Sequence, residues 1–174
     1  MAITRIGPNQ SINLASNITG TLPTGNGGTG ATSFAPGKVL QVKQVTSSSN
    51  QTVTATSYTA ITFFSVAITP SATSSKILIS CTTGVRNTTA DKSNYLTLYR
   101  DSTNLGTGAT SSLSFIYPGA EDDIWFNAHV SILDSPSTTS EVTYKLYSKT
   151  DSSGGCYVNG NGQLGNITAI EVAG

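Results

Sequence analysis

The stretch TLPTGNGGTGATS, residues 21–33, places Gly25, Gly27 and Gly30 in a G-x-G-x-x-G pattern with Gly28 between them. In a dinucleotide-binding protein such glycines let the backbone approach a pyrophosphate held at a helix N-terminus, which requires a strand leading in and a helix leading out. Neither is present. Pro36 and Gly37 stop a helix before one turn could form, and the next acidic residue, Asp91, lies far beyond the ribose-binding position. The glycines are therefore read as serving backbone geometry, with no cofactor implied.

The remaining reactive residue types are sparse. His129 is the sole histidine, and in IWFNAHVSIL it alternates onto the same side as Trp125 and Asn127, away from any acidic partner. The many serines make a Ser-His-Asp coincidence cheap, so the chain is not expected to be an enzyme. Glu121, Asp122 and Asp123 offer oxygens to a cation but lack the alternating D-x-D-x-D-G spacing, and they read as a solvated turn. Cys81 and Cys156 sit in or beside strand-like runs and are expected as buried free thiols rather than a disulfide. Two cysteines and one histidine frame no metal site.

The elements that must position these residues follow from composition and periodicity. Nine basic residues balance nine acidic ones in 174, which leaves neither a basic surface for nucleic acid nor a polyanionic tail. Ser and Thr fill roughly three positions in ten, and Val, Ile and Thr recur in short runs, so the chain reads as all-β. The N-terminus lacks the apolar core of a secretory signal, and no stretch reaches the roughly 18 apolar residues of a membrane span. The expectation is a soluble, unprocessed chain with no membrane insertion.

Two regions are expected: an extended anchoring neck over 1–38 and a β-sandwich head over 39–174. In INLASNITGTL, Ile12, Leu14, Ile18 and Leu22 share one face of a period-two ribbon. No return strand follows to cover that face, so the cover is expected from other copies of the chain or from a different protein. The glycine segment then serves either as an ordered neck near a symmetry axis, where side chains do not fit, or as a plain flexible linker.

From Val39 onward, strand signals recur every eight to twelve residues between turns rich in Gly, Pro, Asn, Asp and Ser, the pattern of a sandwich or barrel. The strands are read as VLQVKQV, TVTATSYTAITFFSVAI, KILISCTTGV, NYLTLYR, SLSFIY, IWFNAHVSIL, EVTYKLYS, GCYVN and NITAIEVA. Alternation directs Ile124, Phe126, Ala128, Val130 and Ile132 inward, with Val142, Tyr144, Leu146, Leu96 and Leu98. ITFFSVAI is apolar on both sides, with Phe64, Val66 and Ile68 opposed to Ile61, Phe63 and Ala67, which predicts burial by a second body as well as by its own sandwich. Tyr95, Tyr99, Trp125, His129 and Tyr147 fall on outward faces; flat rings with a polar edge suit sugar recognition or a subunit interface.

INLASNITGTLPTGNGGTGATSF resembles the neck segments of bacteriophage tail-fibre and tail-tip proteins, in which N-x-T-G-T-L-P-x-x-N-G-G-T-G-A precedes a globular knob. YRDSTNLGTG, LDSPSTTSEVTYKLYSKT and ITAIEVAG are similar to the C-terminal domains of virion structural proteins of tailed phages, especially marine and cyanobacterial ones. The resemblance implies a homotrimeric virion appendage with a threaded neck and an antiparallel β-sandwich head of jelly-roll type. Its implied partners are further copies of itself, another virion protein held through the N-terminal segment, and a host-surface glycan. Only some 38 residues precede the head, on the order of 100 Å when fully extended, so a short fibre, a tail-tip component and a capsid decoration or adaptor protein all remain open.

Overall fold

The computed structural model describes residues 38–151 and 154–174. The ribbon of Ile12, Leu14, Ile18 and Leu22 and the glycines Gly25, Gly27, Gly28 and Gly30 lie outside the described residues. Among those described there is no helix, and eleven strands follow one another: β1 (Val39–Ser47), β2 (Gln51–Val53), β3 (Thr59–Ile68), β4 (Lys76–Asn87), β5 (Asn94–Arg100), β6 (Thr103–Asn104), β7 (Ser114–Ile116), β8 (Ile124–Asp134), β9 (Val142–Thr150), β10 (Cys156–Val158) and β11 (Gly165–Val172). They form two sheets whose pairings are all antiparallel.

The long strand β4 organises the first sheet. Along one edge it pairs with β11 from Lys76 to Thr82 and with β10 from Val85 to Asn87; along the other it pairs with β8 from Ile77 to Asn87. β1 extends the sheet beyond β11, and β2 beyond β10. The second sheet runs β3-β9-β5, with β7 and β6 sharing the far edge of β5. With β1, β11, β4 and β8 in one sheet and β3, β9, β5 and β7 in the other, the chain winds as a jelly roll. The antiparallel sandwich expected from the turn spacing is thus the fold of the described residues.

The core lies between the sheets, and period-two alternation explains who enters it. Ala128 and Val130 of β8, Val142, Tyr144 and Leu146 of β9, and Leu96 and Leu98 of β5 are buried, with Phe126 and Ile132 packed at the margin. Tyr144 reaches through the core, and its hydroxyl donates to Asp134 at 2.7 Å, where Arg100 also donates. Burial pushes the phenol of Tyr144 far up, and the neighbouring Asp134 carboxylate adds to this. Cys81 and Cys156 are buried and free, as the sequence suggested. Burial pushes both thiols up to about 12, so neither is a nucleophile at neutral pH.

Three details differ from the sequence reading. TVTATSYTAITFFSVAI is two strands, β2 and β3, parted by a turn at 54–58. Within β3 the pairing to β9 slips between Ala60 and Ser65, and this irregularity changes the phase: Ile61 is buried alongside Phe64, Val66 and Ile68 rather than opposite them. Phe63 is left half-buried and Ala67 exposed. Thr97, which alternation between the inward Leu96 and Leu98 turns away from the core, is nevertheless buried, because the segment after β6 covers it and its hydroxyl donates to Asn104 Oδ1 at 2.7 Å. Gly106 makes that close passage possible, because a β-carbon there would lie 2.6 Å from Thr97 Oγ1 and 2.4 Å from the Ser111 carbonyl oxygen.

β11 hides an unexpected carboxylate. Ile167, Ala169 and Glu171 face inward while Ile170 and Val172 face outward. Glu171 is fully buried and accepts from Ser71 N at 2.7 Å, Ser71 Oγ at 2.6 Å and Gln41 Nε2 at 2.6 Å. The outward residues join a row set by register: Val42 of β1 stands beside Ile170, Ile170 beside Leu78 of β4, and Leu78 beside Leu133 of β8. Val42, Leu78 and Leu133 are exposed, so an apolar strip crosses the outer face of the first sheet.

Candidate functional site

The chemistry-bearing side chains are dispersed. His129 is exposed on β8, with Nδ1 at 2.9 Å from the Thr82 hydroxyl. Glu121, Asp122 and Asp123 are exposed, and the carboxylate of Asp123 accepts from Arg86. Among the described residues no three of His, Cys, Asp or Glu gather as metal ligands would.

The five outward candidates divide between the two outer faces. Tyr95, Tyr99 and Tyr147 belong to the second sheet; Trp125 and His129 belong to the first. On the second sheet the rings largely satisfy one another. Tyr99 and Tyr147 stack with centroids 3.9 Å apart, Tyr58 meets Tyr99 edge-on at 6.2 Å, and Tyr95 lies over Phe115 at 6.2 Å. Lys149 Nζ caps the group, 4.6 Å from the Tyr58 ring and 5.2 Å from that of Tyr95. Burial pushes the Tyr58 phenol up to about 12, and its hydroxyl donates to the Thr110 carbonyl. This cluster holds the turn before β3 onto the sheet and turns four half-buried tyrosine rings inward on one another, with Phe115 left exposed at its edge.

The first sheet offers something different. Register places Trp125 of β8 beside Arg86 of β4, and Arg86 beside Tyr157 of β10, so three strands present an aromatic–cation–aromatic row. The guanidinium carbon lies 5.6 Å from the Trp125 ring centre and 5.3 Å from that of Tyr157. Nε of Arg86 donates to Asp123, which raises the pKa of the arginine and lowers that of the carboxylate. Trp125 stays 42% exposed and forms a wall between two clefts. The larger, about 490 Å³, is lined by Thr82, Gly84, Asn127, Gln163 and Leu164 among others; the smaller, about 230 Å³, by Asn50, Arg86, Tyr157, Gly160 and Asn161. Gly160 lets the indole lie against the backbone, since a β-carbon there would come within 2.9 Å of Trp125 Cη2. The result is a flat ring flanked by donors and acceptors, the kind of lining that suits a binding cleft.

Of this site the sequence singled out Trp125; His129, four residues further along β8, lines neither cleft. Arg86, Tyr157, Gln163 and Asn50 were not singled out. Extending the alternation of KILISCTTGV one residue further turns Arg86 outward, but only the pairing of β4 with β8 and β10 puts it between two rings.

The sequence matches no protein-family model and no curated protein. Solved structures with a similar course include those of the VP2 protein of infectious bursal disease virus. A particle-forming mutant is 13% identical over 76% of this chain and 36% of that one, with a TM-score of 0.39. The Gx strain structure is 14% identical over 77% and 37%, with a TM-score of 0.39, and a VP2 subviral particle is 14% identical over 76% and 37%, with a TM-score of 0.40. This chain spans little more than a third of the length of those proteins.

Proposed function

We propose that the protein is a virion structural protein of a tailed phage, a short tail fibre or tail-tip component whose trimeric head is displayed for attachment to a host-surface glycan. Residues 1–38 anchor it to another virion protein and to further copies of itself, and no cofactor or catalytic step is involved. The observation that carries the reading is the Trp125–Arg86–Tyr157 row, a rigid aromatic platform beside two clefts on an outer sheet face. The wording of the neck segment and of the head's closing strand supports the placement on a phage particle. A second reading is a decoration or adaptor protein with no receptor, and the apolar strip from Val42 to Leu133 favours it, because such a strip suits contact with other protein.

Adsorption separates the two. Purified full-length chain should bind host cells and, in excess, slow the adsorption of particles that carry it. Antibody labelling should mark the distal tail. A chain that neither binds cells nor competes, together with label spread over the capsid, would establish the decoration role instead.

A further inference from the structure

The structure assigns a ligand class to the Trp125 site: we infer that it binds an uncharged oligosaccharide laid across the indole, with one sugar in each flanking cleft. The inference rests on the attachment reading above and specifies its chemistry.

Shape comes first. A lone exposed tryptophan is ordinary, but Trp125 stands beside Arg86 of β4, is backed by Gly160 and is bordered on both sides by hollows of about 490 Å³ and 230 Å³. The larger falls within the roughly 300–1,000 Å³ of small-ligand sites, and the pair suits an extended ligand better than a single compact one. The axial C–H faces of a pyranose are apolar while its rim is hydroxylated, so it matches a ring wall surrounded by amides.

The polar groups are of the type that hydroxyls use. Asn127 and Gln163 on one side, Asn50 and Asn161 on the other, each offer both a donor and an acceptor. Gln163 lies over Gly84, where its Oε1 occupies the place a β-carbon would take, so this amide sits against the floor of the larger cleft. Arg86 uses Nε for Asp123, and its two terminal amino groups remain to donate to a pair of neighbouring hydroxyls in the smaller cleft.

Charge selects among saccharides. Asp123 already neutralises Arg86, and Glu121 and Asp122 stand exposed in the same turn, so the surroundings carry excess negative charge. A uronate or other carboxylated sugar would meet repulsion there, whereas an uncharged chain would not. Binding should accordingly be nearly insensitive to ionic strength.

The test measures wild type, Trp125→Ala, Gln163→Ala and Tyr99→Ala by calorimetry against neutral hexose oligosaccharides of two to six units and against a polyuronate, and in parallel scores cell adsorption. The Trp125 and Gln163 side chains are exposed, so thermal melts should show all of these proteins folded apart from a modest loss for Tyr99→Ala. The expected result is a neutral oligosaccharide bound with little salt dependence, weakened tenfold or more by Trp125→Ala, weakened several-fold by Gln163→Ala and unchanged by Tyr99→Ala. Preference for the polyuronate, or salt-sensitive binding, would overturn the ligand class. Cell adsorption that survives Trp125→Ala would overturn the site while leaving attachment in place. A wild type that adsorbs to no cells and binds no saccharide would overturn both.

Discussion

Phe64→Ala is expected to destabilise the head by about 3–5 kcal/mol, the usual range for removing a fully buried phenylalanine. Phe64 has no exposed surface and belongs to β3 in the second sheet. Across the sandwich, Gly165 opens β11 in the first sheet, and a β-carbon on it would lie 2.3 Å from Phe64 Cζ. The ring therefore fills the space that the glycine leaves and locks the two sheets together, while Phe63 packs edge-on against it at 4.8 Å. Alanine would leave a cavity that Gly165 has no side chain to fill. For a domain of this size the melting temperature should fall by roughly 10 °C or more. Urea unfolding followed by the fluorescence of Trp125 measures the change, and a loss below about 1 kcal/mol would contradict a ring buried between sheets.

The second large effect concerns acid. Burial by itself would raise the pKa of Glu171, but hydrogen bonds from Ser71 and Gln41 outweigh it and hold the carboxyl at about 2, below its ordinary value of 4.5. A pKa depressed by folding contributes stability that is fully present above the ordinary value and is lost as pH falls from about 4.5 through 2. Glu171→Gln removes this contribution. The variant should be less stable than wild type by about 2–3 kcal/mol at pH 7, and the gap should close as the pH approaches 2. Equal unfolding free energies at pH 7, or a gap unchanged at pH 2, would show that the charge of Glu171 is not what the Ser71 and Gln41 donors serve.

These two positions also mark where the sequence was legible and where it was not. Over residues 126–132 of β8 and 142–146 of β9 apolar and polar residues alternate strictly, so only one phase buries their apolar set, and their core residues could be named in advance. In β3 both faces are apolar; nothing local then fixes the phase, and the slip between Ala60 and Ser65 that brings Ile61 inward comes from pairing with β9. In β11 the local pattern misleads. NITAIEVA would most simply bury Ile170 and Val172 and expose Glu171, and the reverse occurs because Ile167 and Ala169 set the phase and three donors await the carboxylate. The site follows the same logic. Trp125 and His129 could be placed outward from one strand alone, whereas Arg86 and Tyr157 reach Trp125 only through pairings between residues far apart in the chain.

The strip Val42–Ile170–Leu78–Leu133 bears on how this protein behaves in a flask. Equal numbers of acidic and basic groups give a formal net charge of zero at pH 7, so heads gain little mutual repulsion while each turns a hydrocarbon seam outward. Ammonium sulfate should precipitate the wild type at a lower concentration than a Val42→Lys, Leu133→Lys double variant, and a phenyl resin should release that variant earlier. Near-neutral buffers of high ionic strength, often chosen to keep proteins dispersed, would be the poorest medium in which to store it.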